Sequence, residues 1–149
     1  MELLVSEIIV SYQPQIECCS VTTLDTPESV KSQMLPFFDR NTIALQEQFL
    51  VMYLNRANQL IGVYKLSKGG ITGTVADIRL ILGVALKCAA SGLILAHNHP
   101  SGNTRPSKAD IDITKKIKEA AALMEIQLID HLIINFKSEF VSMREEGYL

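Results

Sequence analysis

This chain of 149 residues has few cysteines, a small net charge and no long apolar run. The three cysteines, Cys18, Cys19 and Cys88, are odd in number and show no Cys-x-x-Cys spacing, which argues against a disulfide framework and against a thiolate metal site. The 14 basic residues nearly balance the 16 acidic ones, and the formal charge is −2. No global positive field therefore favours nucleic acid, and any contact with DNA would have to be local.

The chain also lacks the marks of a membrane or secreted protein. No uninterrupted apolar run approaches the roughly 20 residues that a membrane-spanning helix needs. The N-terminus, with Glu2 and Glu7, lacks the basic lead of a secretory signal. We therefore expect a cytoplasmic protein without membrane contact. Its composition, 48% hydrophobic and 20% charged, is typical of a compact globular protein, and its length predicts one domain.

A first candidate site lies at His97-Asn98-His99-Pro100. The apolar residues 93–96 before it predict a buried strand, whose two-residue period places the imidazoles of His97 and His99 on one face while Asn98 points away. Pro100 cannot donate to a ladder, so the strand should end there. Two imidazoles should thus converge at a strand end, although a His-x-His pair alone is a weak signal for metal.

A predicted helix start follows within a short loop. Ser107 is a typical N-cap residue, and Asp110 stands three residues later in capping-box spacing. Asp110 could face the two histidines across the loop and serve as a third ligand. Two nitrogens and one carboxylate oxygen suit zinc, which in catalytic sites usually takes three protein ligands and leaves one position to water. In the plainer interpretation Ser107 and Asp110 only cap their helix, which stabilises it by about 0.5–2 kcal/mol.

The remaining patterns predict an α/β protein with a mixed sheet and helices on its faces. Strands are expected over residues 3–12, 44–54, 59–65, 93–99, 127–136 and 140–143. Helices are expected over residues 27–35, from a possible cap at Thr74 through Ile78, Leu82, Ala85 and Ala89, and from residue 107 onward with an apolar stripe formed by Ile113, Ile117, Ala121 and Met124.

These motifs resemble a known family. The pattern His-x-His-Pro followed by Ser-x-x-Asp resembles the JAMM motif of the MPN metallopeptidases, and its fuller form resembles the RadC family. The residues that carry the likeness are His97 to Gly102, Pro106 to Asp110, Thr114, Asp130 to Ile134, and Ser142. The likeness covers residues 40–149, and we expect residues 1–39 to add a strand and a helix to the same domain. RadC proteins usually carry a further N-terminal helix-hairpin-helix segment, which a chain of this length cannot hold.

The resemblance implies a three-layer, cytidine-deaminase-like JAB/MPN domain and a mechanism. His97, His99 and Asp110 would hold zinc, while Ser107 would stabilise the oxyanion formed from a peptide or isopeptide carbonyl of a peptide or protein substrate. Glu47, which shares a strand face with Phe49, would be the general base. From the residues alone, an exposed strand-end glutamate would be the favoured interpretation. His131 interrupts an apolar strand, and we interpret it as a core or supporting residue.

One segment departs from the RadC pattern. Gly69 and Arg79 match it, whereas Ser67, Ile78 and Leu80 replace an aromatic residue and the flanking positions of Pro-Arg-Glu. These changes put in doubt any substrate or partner contact made there. Arg79 could be a solvated helix residue or could pair with a carboxylate near the site.

Two functions stay open at this point. The first is a zinc metallopeptidase-like hydrolase of the RadC type. The second is a non-catalytic zinc-binding interaction module linked to DNA repair or mobile elements. Nucleobase deamination is not indicated, because that zinc chemistry needs His-x-Glu and Pro-Cys-x-x-Cys, and neither occurs in the sequence. The His-Glu-x-x-His arrangement of other zinc peptidases is also missing.

Overall fold

The computed structural model describes residues 24–70 and 75–149. The expected strand within residues 3–12, Cys18, Cys19 and the expected cap Thr74 lie outside this part of the chain. In chain order the elements are helix α1 (Pro27–Met34) with a 3-10 turn (Leu35–Phe37), strands β1 (Gln48–Leu54) and β2 (Leu60–Lys68), helix α2 (Ile78–Lys87), strand β3 (Gly92–Asn98), helix α3 (Lys108–Leu123), and strands β4 (Gln127–Ile134) and β5 (Phe140–Ser142).

The five strands form one mixed sheet in the order β2-β1-β3-β4-β5. β1 pairs antiparallel with both β2 and β3, and β4 pairs antiparallel with β5. β3 and β4 run parallel and are joined through α3. Because parallel strands end at the same edge of a sheet, the last residues of β3 and β4 lie side by side with the loop that leads into α3. The expected mixed α/β architecture is confirmed.

Hydrophobic cores lie on both faces of the sheet, which gives three layers. On one face, alternate residues of the central strands pack on α1, as Leu50 of β1 and Ile94 of β3 do beside Met34. On the opposite face, the intervening residues pack on α2 and α3. The members there include Val51 and Leu95 from the strands, Ile81 and Ala85 from α2, and Ile117 and Ala121 from α3. The central strand β3 is buried along its whole length.

This alternation decides where the polar end of β3 points. His97 has the same parity as Leu93 and Leu95, so its side chain faces the layer of α2 and α3. Asn98 has the parity of Ile94 and faces the α1 layer instead. The imidazole and the amide of neighbouring residues therefore act on opposite faces of the sheet.

Several element boundaries differ from the sequence expectation. The strand expected from Ala44 begins only at Gln48, because residues 42–46 form a turn in which the backbone N–H groups of Leu45 and Gln46 both donate to the Thr42 carbonyl at 2.9 Å. β2 runs on to Lys68, beyond the strand end expected at Lys65.

The two longer helices also deviate at their ends. The N-cap of α2 is Asp77, whose carboxylate accepts the Arg79 backbone N–H. Met124, expected on the apolar stripe of α3, is the C-cap of that helix and is half exposed. Within residues 24–70 and 75–149, no helix is long and apolar enough to cross a membrane.

Candidate metal centre

The site lies where β3 ends and α3 begins. The His99 N–H donates to the Ile134 carbonyl at 2.9 Å, which ties the end of β3 to the end of β4. The chain then turns at Gly102, whose N–H donates to the His99 carbonyl and whose φ of 85° favours glycine. A Cβ atom at Gly102 would also lie 3.2 Å from the Phe136 ring. The turn therefore returns the chain over the sheet edge and into the first turn of α3.

A reciprocal capping box fixes the start of α3. The Ser107 hydroxyl accepts the Asp110 backbone N–H at 3.1 Å, and one carboxylate oxygen of Asp110 accepts the Ser107 N–H at 2.7 Å. This is the cap that the spacing predicts. The cap holds the Asp110 carboxylate in the first turn of α3, where it faces the C-terminal end of β3.

His97, His99 and Asp110 converge at that edge. Their ligand atoms lie close together: Nε2 of His97 is 3.0 Å from Nε2 of His99, and the Asp110 oxygens lie 3.1 Å and 3.3 Å from these two nitrogens. In a tetrahedral zinc site with bonds of about 2.0–2.2 Å, neighbouring ligand atoms are about 3.3–3.6 Å apart. The donor set and its spacing therefore fit a small divalent ion. Among the described residues, these three form the group of His, Cys, Asp or Glu side chains whose ligand atoms lie close enough together to hold a metal ion.

The Asn103 carbonyl orients His99 with its Nε2 atom toward the cluster. The Nδ1 atom lies 2.7 Å from that carbonyl, which can only accept, so Nδ1 carries a hydrogen. The hydrogen bond to Asp110 raises the pKa of His99. Burial would raise the pKa of the Asp110 carboxyl, but its hydrogen bonds to His97 and His99 outweigh that effect and hold the pKa well below its usual range. Asp110 is therefore an ionised donor at neutral pH.

The His97 ring is also held by Phe49 and His131, which lie on neighbouring strands. Phe49 of β1 stacks on its ring with the planes 5° apart, and its Nδ1 lies 2.8 Å from Nε2 of His131 on β4. His131 is fully buried, and its Nδ1 lies 2.6 Å from the Thr114 hydroxyl on α3. Burial lowers the pKa of His131 well below its usual range, so the ring is neutral. The interpretation of His131 as a core or supporting residue agrees with these contacts.

Glu47 precedes β1 by one residue and is half-buried. Phe49 pairs with His97 across β1 and β3, so the same antiparallel register continued by two residues places Glu47 opposite His99. The charge of Glu47 contributes to the raised pKa of His99, which agrees with this placement. The Glu47 carbonyl also accepts the Gly69 N–H at 2.8 Å. Glu47 thus belongs to the edge of the cluster, although it lies before the strand rather than within it. The roles of Glu47, Ser107 and the three metal donors stay predictions.

Two polar residues at the site received no role from sequence reasoning. Thr114 stands one helical turn after Asp110, and a polar residue among the apolar positions Ile113 and Ile117 was the available signal. Asn98 was expected only to point away from the histidines. It does so, and its buried amide binds the turn that precedes β1.

The segment that departs from the RadC pattern is partly described. The Arg79 guanidinium pairs with Asp77 of its own helix cap at 2.7 Å, and its side chain is 90% exposed. Arg79 is thus a solvated helix residue whose carboxylate partner belongs to its own helix cap. The Ser67 hydroxyl donates to the Val75 carbonyl at 2.9 Å.

Fold and site together define a three-layer α/β domain in which two histidines and one carboxylate cluster at the C-terminal end of the central strand of a mixed sheet. The chain belongs to the RadC family, since the family model for the RadC-like JAB domain matches residues 12–148. It is 48% identical over 101 residues to a UPF0758 protein of Flavobacterium johnsoniae, covering 68% of this chain and 44% of that protein. It is 45% identical over 104 residues to a UPF0758 protein of Porphyromonas gingivalis, covering 70% of this chain and 46% of that protein. The chain thus spans about half the length of these relatives.

Proposed function

We propose that this chain is a zinc-dependent hydrolase of the metallopeptidase type, which cleaves a peptide or isopeptide bond in a peptide or protein substrate. The observation that carries the proposal is the open cluster with a carboxylate beside it. The ligand atoms of His97, His99 and Asp110 lie within 4.8 Å of one another, none of the described His, Cys, Asp or Glu side chains joins them as a fourth, and the charge of Glu47 acts on His99. A structural zinc site would instead close its coordination sphere with a fourth protein ligand.

The chemistry divides between the ion and the chain. A bound zinc ion would polarise a substrate carbonyl and lower the pKa of its bound water to about 7. The Glu47 carboxylate would take the proton from the attacking water and pass it to the leaving amine, as a general base and then a general acid. Ser107 can support the oxyanion, because its hydroxyl oxygen accepts from the helix while its hydrogen stays able to donate.

The alternative function is a non-catalytic zinc-binding interaction module, tied to DNA repair or mobile elements. The same three donors support it, because an ion there would join the end of β3 to the start of α3 whether or not a bond is cleaved. It differs from the hydrolase in needing nothing from Glu47.

The test has two measurements on the purified chain. The first is the zinc content after metal loading and desalting, compared between the parent and His97→Ala. We expect one equivalent in the parent and none in the variant. The second is the release of primary amines from a peptide library and from an isopeptide-linked peptide pair, compared between the parent and Glu47→Gln. Amine release by the parent alone supports the hydrolase, whereas bound zinc without amine release in either protein supports the interaction module.

A further inference from the structure

We infer that Thr114 and His131 are positioning residues that hold the His97 ring through its Nδ1–H group and so direct its Nε2 atom toward the cluster. The inference rests on the proposed metal site for its purpose, and on the direction of three buried hydrogen bonds for its evidence. Those bonds link the backbone of Asp110 to the ring of His97 through the interior of the domain.

Thr114 sets the direction of this series of hydrogen bonds. Its hydroxyl oxygen lies 2.5 Å from the Asp110 backbone carbonyl, which can only accept a hydrogen bond. A hydroxyl has one hydrogen, so the Thr114 hydrogen lies on that bond rather than on the longer, weaker contact to the Met143 sulfur at 3.7 Å. The Thr114 oxygen must therefore accept from its other close neighbour, Nδ1 of His131 at 2.6 Å.

The proton position on His131 follows from this bond. Nδ1 carries the hydrogen that Thr114 accepts. The ring is fully buried among apolar side chains, including the tilted ring of Phe49, and a charged imidazolium would be costly there. His131 therefore has one N–H, and its Nε2 is an acceptor.

The proton position on His97 follows in turn. Its Nδ1 lies 2.8 Å from the His131 Nε2 acceptor, so Nδ1 of His97 must donate. The opposite ring atom, Nε2, therefore faces His99 and Asp110 at 3.0 Å and 3.1 Å, where a bound ion would take it as a ligand. A ring without a hydrogen on Nδ1 would leave two buried acceptors facing each other at that contact.

This arrangement couples two of the proposed ligands. The series of hydrogen bonds starts at the backbone carbonyl of Asp110 and ends at the imidazole of His97. Helix α3, which supplies the Asp110 carboxylate, therefore also orients His97 on β3. His99 is oriented separately, by the Asn103 carbonyl. Loss of the Thr114 hydroxyl should therefore affect His97 and leave the Nδ1 hydrogen of His99 in place.

The direct test is NMR of the metal-free protein labelled with 15N-histidine. The chain has three histidines, so long-range proton–nitrogen correlations assign each ring with the help of His97→Ala and His99→Ala. We expect Nδ1 of all three rings to carry a hydrogen. In Thr114→Val, we expect His97 to lose its Nδ1 hydrogen in part of the molecules while His99 keeps its own. A parent His97 ring without a hydrogen on Nδ1 would overturn the inference.

The second test is zinc affinity, measured by competition with a chromophoric chelator. Loss of a residue that orients a metal ligand typically weakens metal binding about 10–100-fold. We expect that loss for Thr114→Val and for His131→Phe, and close to parent affinity for Thr114→Ser, which keeps the hydroxyl. The double variant should bind no more weakly than His131→Phe alone, because both changes interrupt one chain of bonds. Equal affinity of the Val and Ser variants would overturn the inference.

These two measurements separate the inference from the proposed function. A parent chain in which Nδ1 of His97 carries a hydrogen but which binds no zinc would contradict the proposed function and support the direction of the hydrogen bonds. A parent that binds zinc, but whose His97 carries no hydrogen on Nδ1 in the metal-free form, would do the reverse. The melting temperatures of Thr114→Val and Thr114→Ser, compared in the metal-free state, show whether both variants are folded.

Discussion

The side chain of Asn98 binds the backbone on both sides of Glu47. Its amide nitrogen donates to the Gln46 carbonyl at 2.9 Å, and its amide oxygen accepts the Gln48 N–H at 2.7 Å. The same nitrogen donates to the Ile43 carbonyl at 2.7 Å. One buried side chain of β3 therefore fixes the turn that carries the proposed proton acceptor, on the face of the sheet opposite the two histidines.

Replacement of Asn98 should impair turnover more than metal binding. Asn98→Ala would leave three backbone groups without this partner, each costing about 1–3 kcal/mol where it stays buried. We expect a lower free energy of unfolding, near-parent zinc content and a reduced rate of amine release. Asn55→Ala is the matched control, because Asn55 binds the turn between β1 and β2 through the backbone N–H groups of Ala57 and Gln59. Equal rates in these two variants would contradict the role of Asn98.

Replacement of Glu47 should separate metal binding from catalysis. Glu47→Gln keeps the size of the side chain and removes the proton acceptor, so we expect parent zinc content and a rate of amine release lower by about 10²–10⁴-fold, the usual contribution of a general base. Glu119→Gln, at an exposed position of α3, serves as the control. Undiminished cleavage by Glu47→Gln would show that another group handles the proton.

Two aspartates on α3 offer a matched pair for the metal site. Asp110 faces the histidines, whereas Asp112 is exposed two residues later on the same helix. We expect Asp110→Asn to lose zinc on desalting, because a neutral amide replaces an ionised donor, and Asp112→Asn to retain one equivalent. His99→Ala should behave like Asp110→Asn. If elemental analysis finds the same zinc content in both Asn variants, Asp110 is not a ligand.

The two capping boxes allow the cap of Ser107 to be separated from its proposed chemistry. Thr26 caps α1 in the same reciprocal manner, with Ser29 as its partner, and nothing assigns it to the site. Ser107→Ala and Thr26→Ala should each lower the free energy of unfolding by about 1 kcal/mol, measured by urea titration. Only Ser107→Ala should also reduce amine release. If the rate fell equally in both variants, the loss would reflect stability rather than the oxyanion.

Tyr53 gives a prediction that is independent of the site. Its hydroxyl donates to the Ile81 carbonyl of α2 at 3.0 Å, and burial raises its pKa above the usual value. Tyr53→Phe should lower the free energy of unfolding by about 0.5–1.5 kcal/mol at pH 8. Above about pH 10 the unfolded chain releases a tyrosine proton that the folded chain retains, so this contribution should decrease as the pH rises. A difference between parent and variant that grows with pH would contradict the assignment.

The sequence predicts most of the proposed metal site because its residues are close in the chain. Strand period places His97 and His99 on one face, and capping-box spacing places Asp110 in the first helical turn. Both rules act over a few residues, and the structure follows them.

Contacts between distant elements could not be read in the same way. The strand expected from Ala44 starts at Gln48 because Asn98, fifty positions away, binds the turn before it. The pairing of His131 with Thr114 likewise depends on how α3 packs over β4, which no local pattern specifies.

The crossover from β3 through α3 to β4 has a consequence for how the site assembles. His97, His99 and Asp110 fall within 14 consecutive residues, so a single strand-loop-helix unit brings them together at a small cost in loop-closure entropy. Glu47 comes from the hairpin and reaches them only when β1 docks beside β3. In the proposed function, ion binding would thus depend on the strand-loop-helix unit and bond cleavage on the hairpin as well, so a relative with a changed hairpin could bind the ion without cleaving a bond.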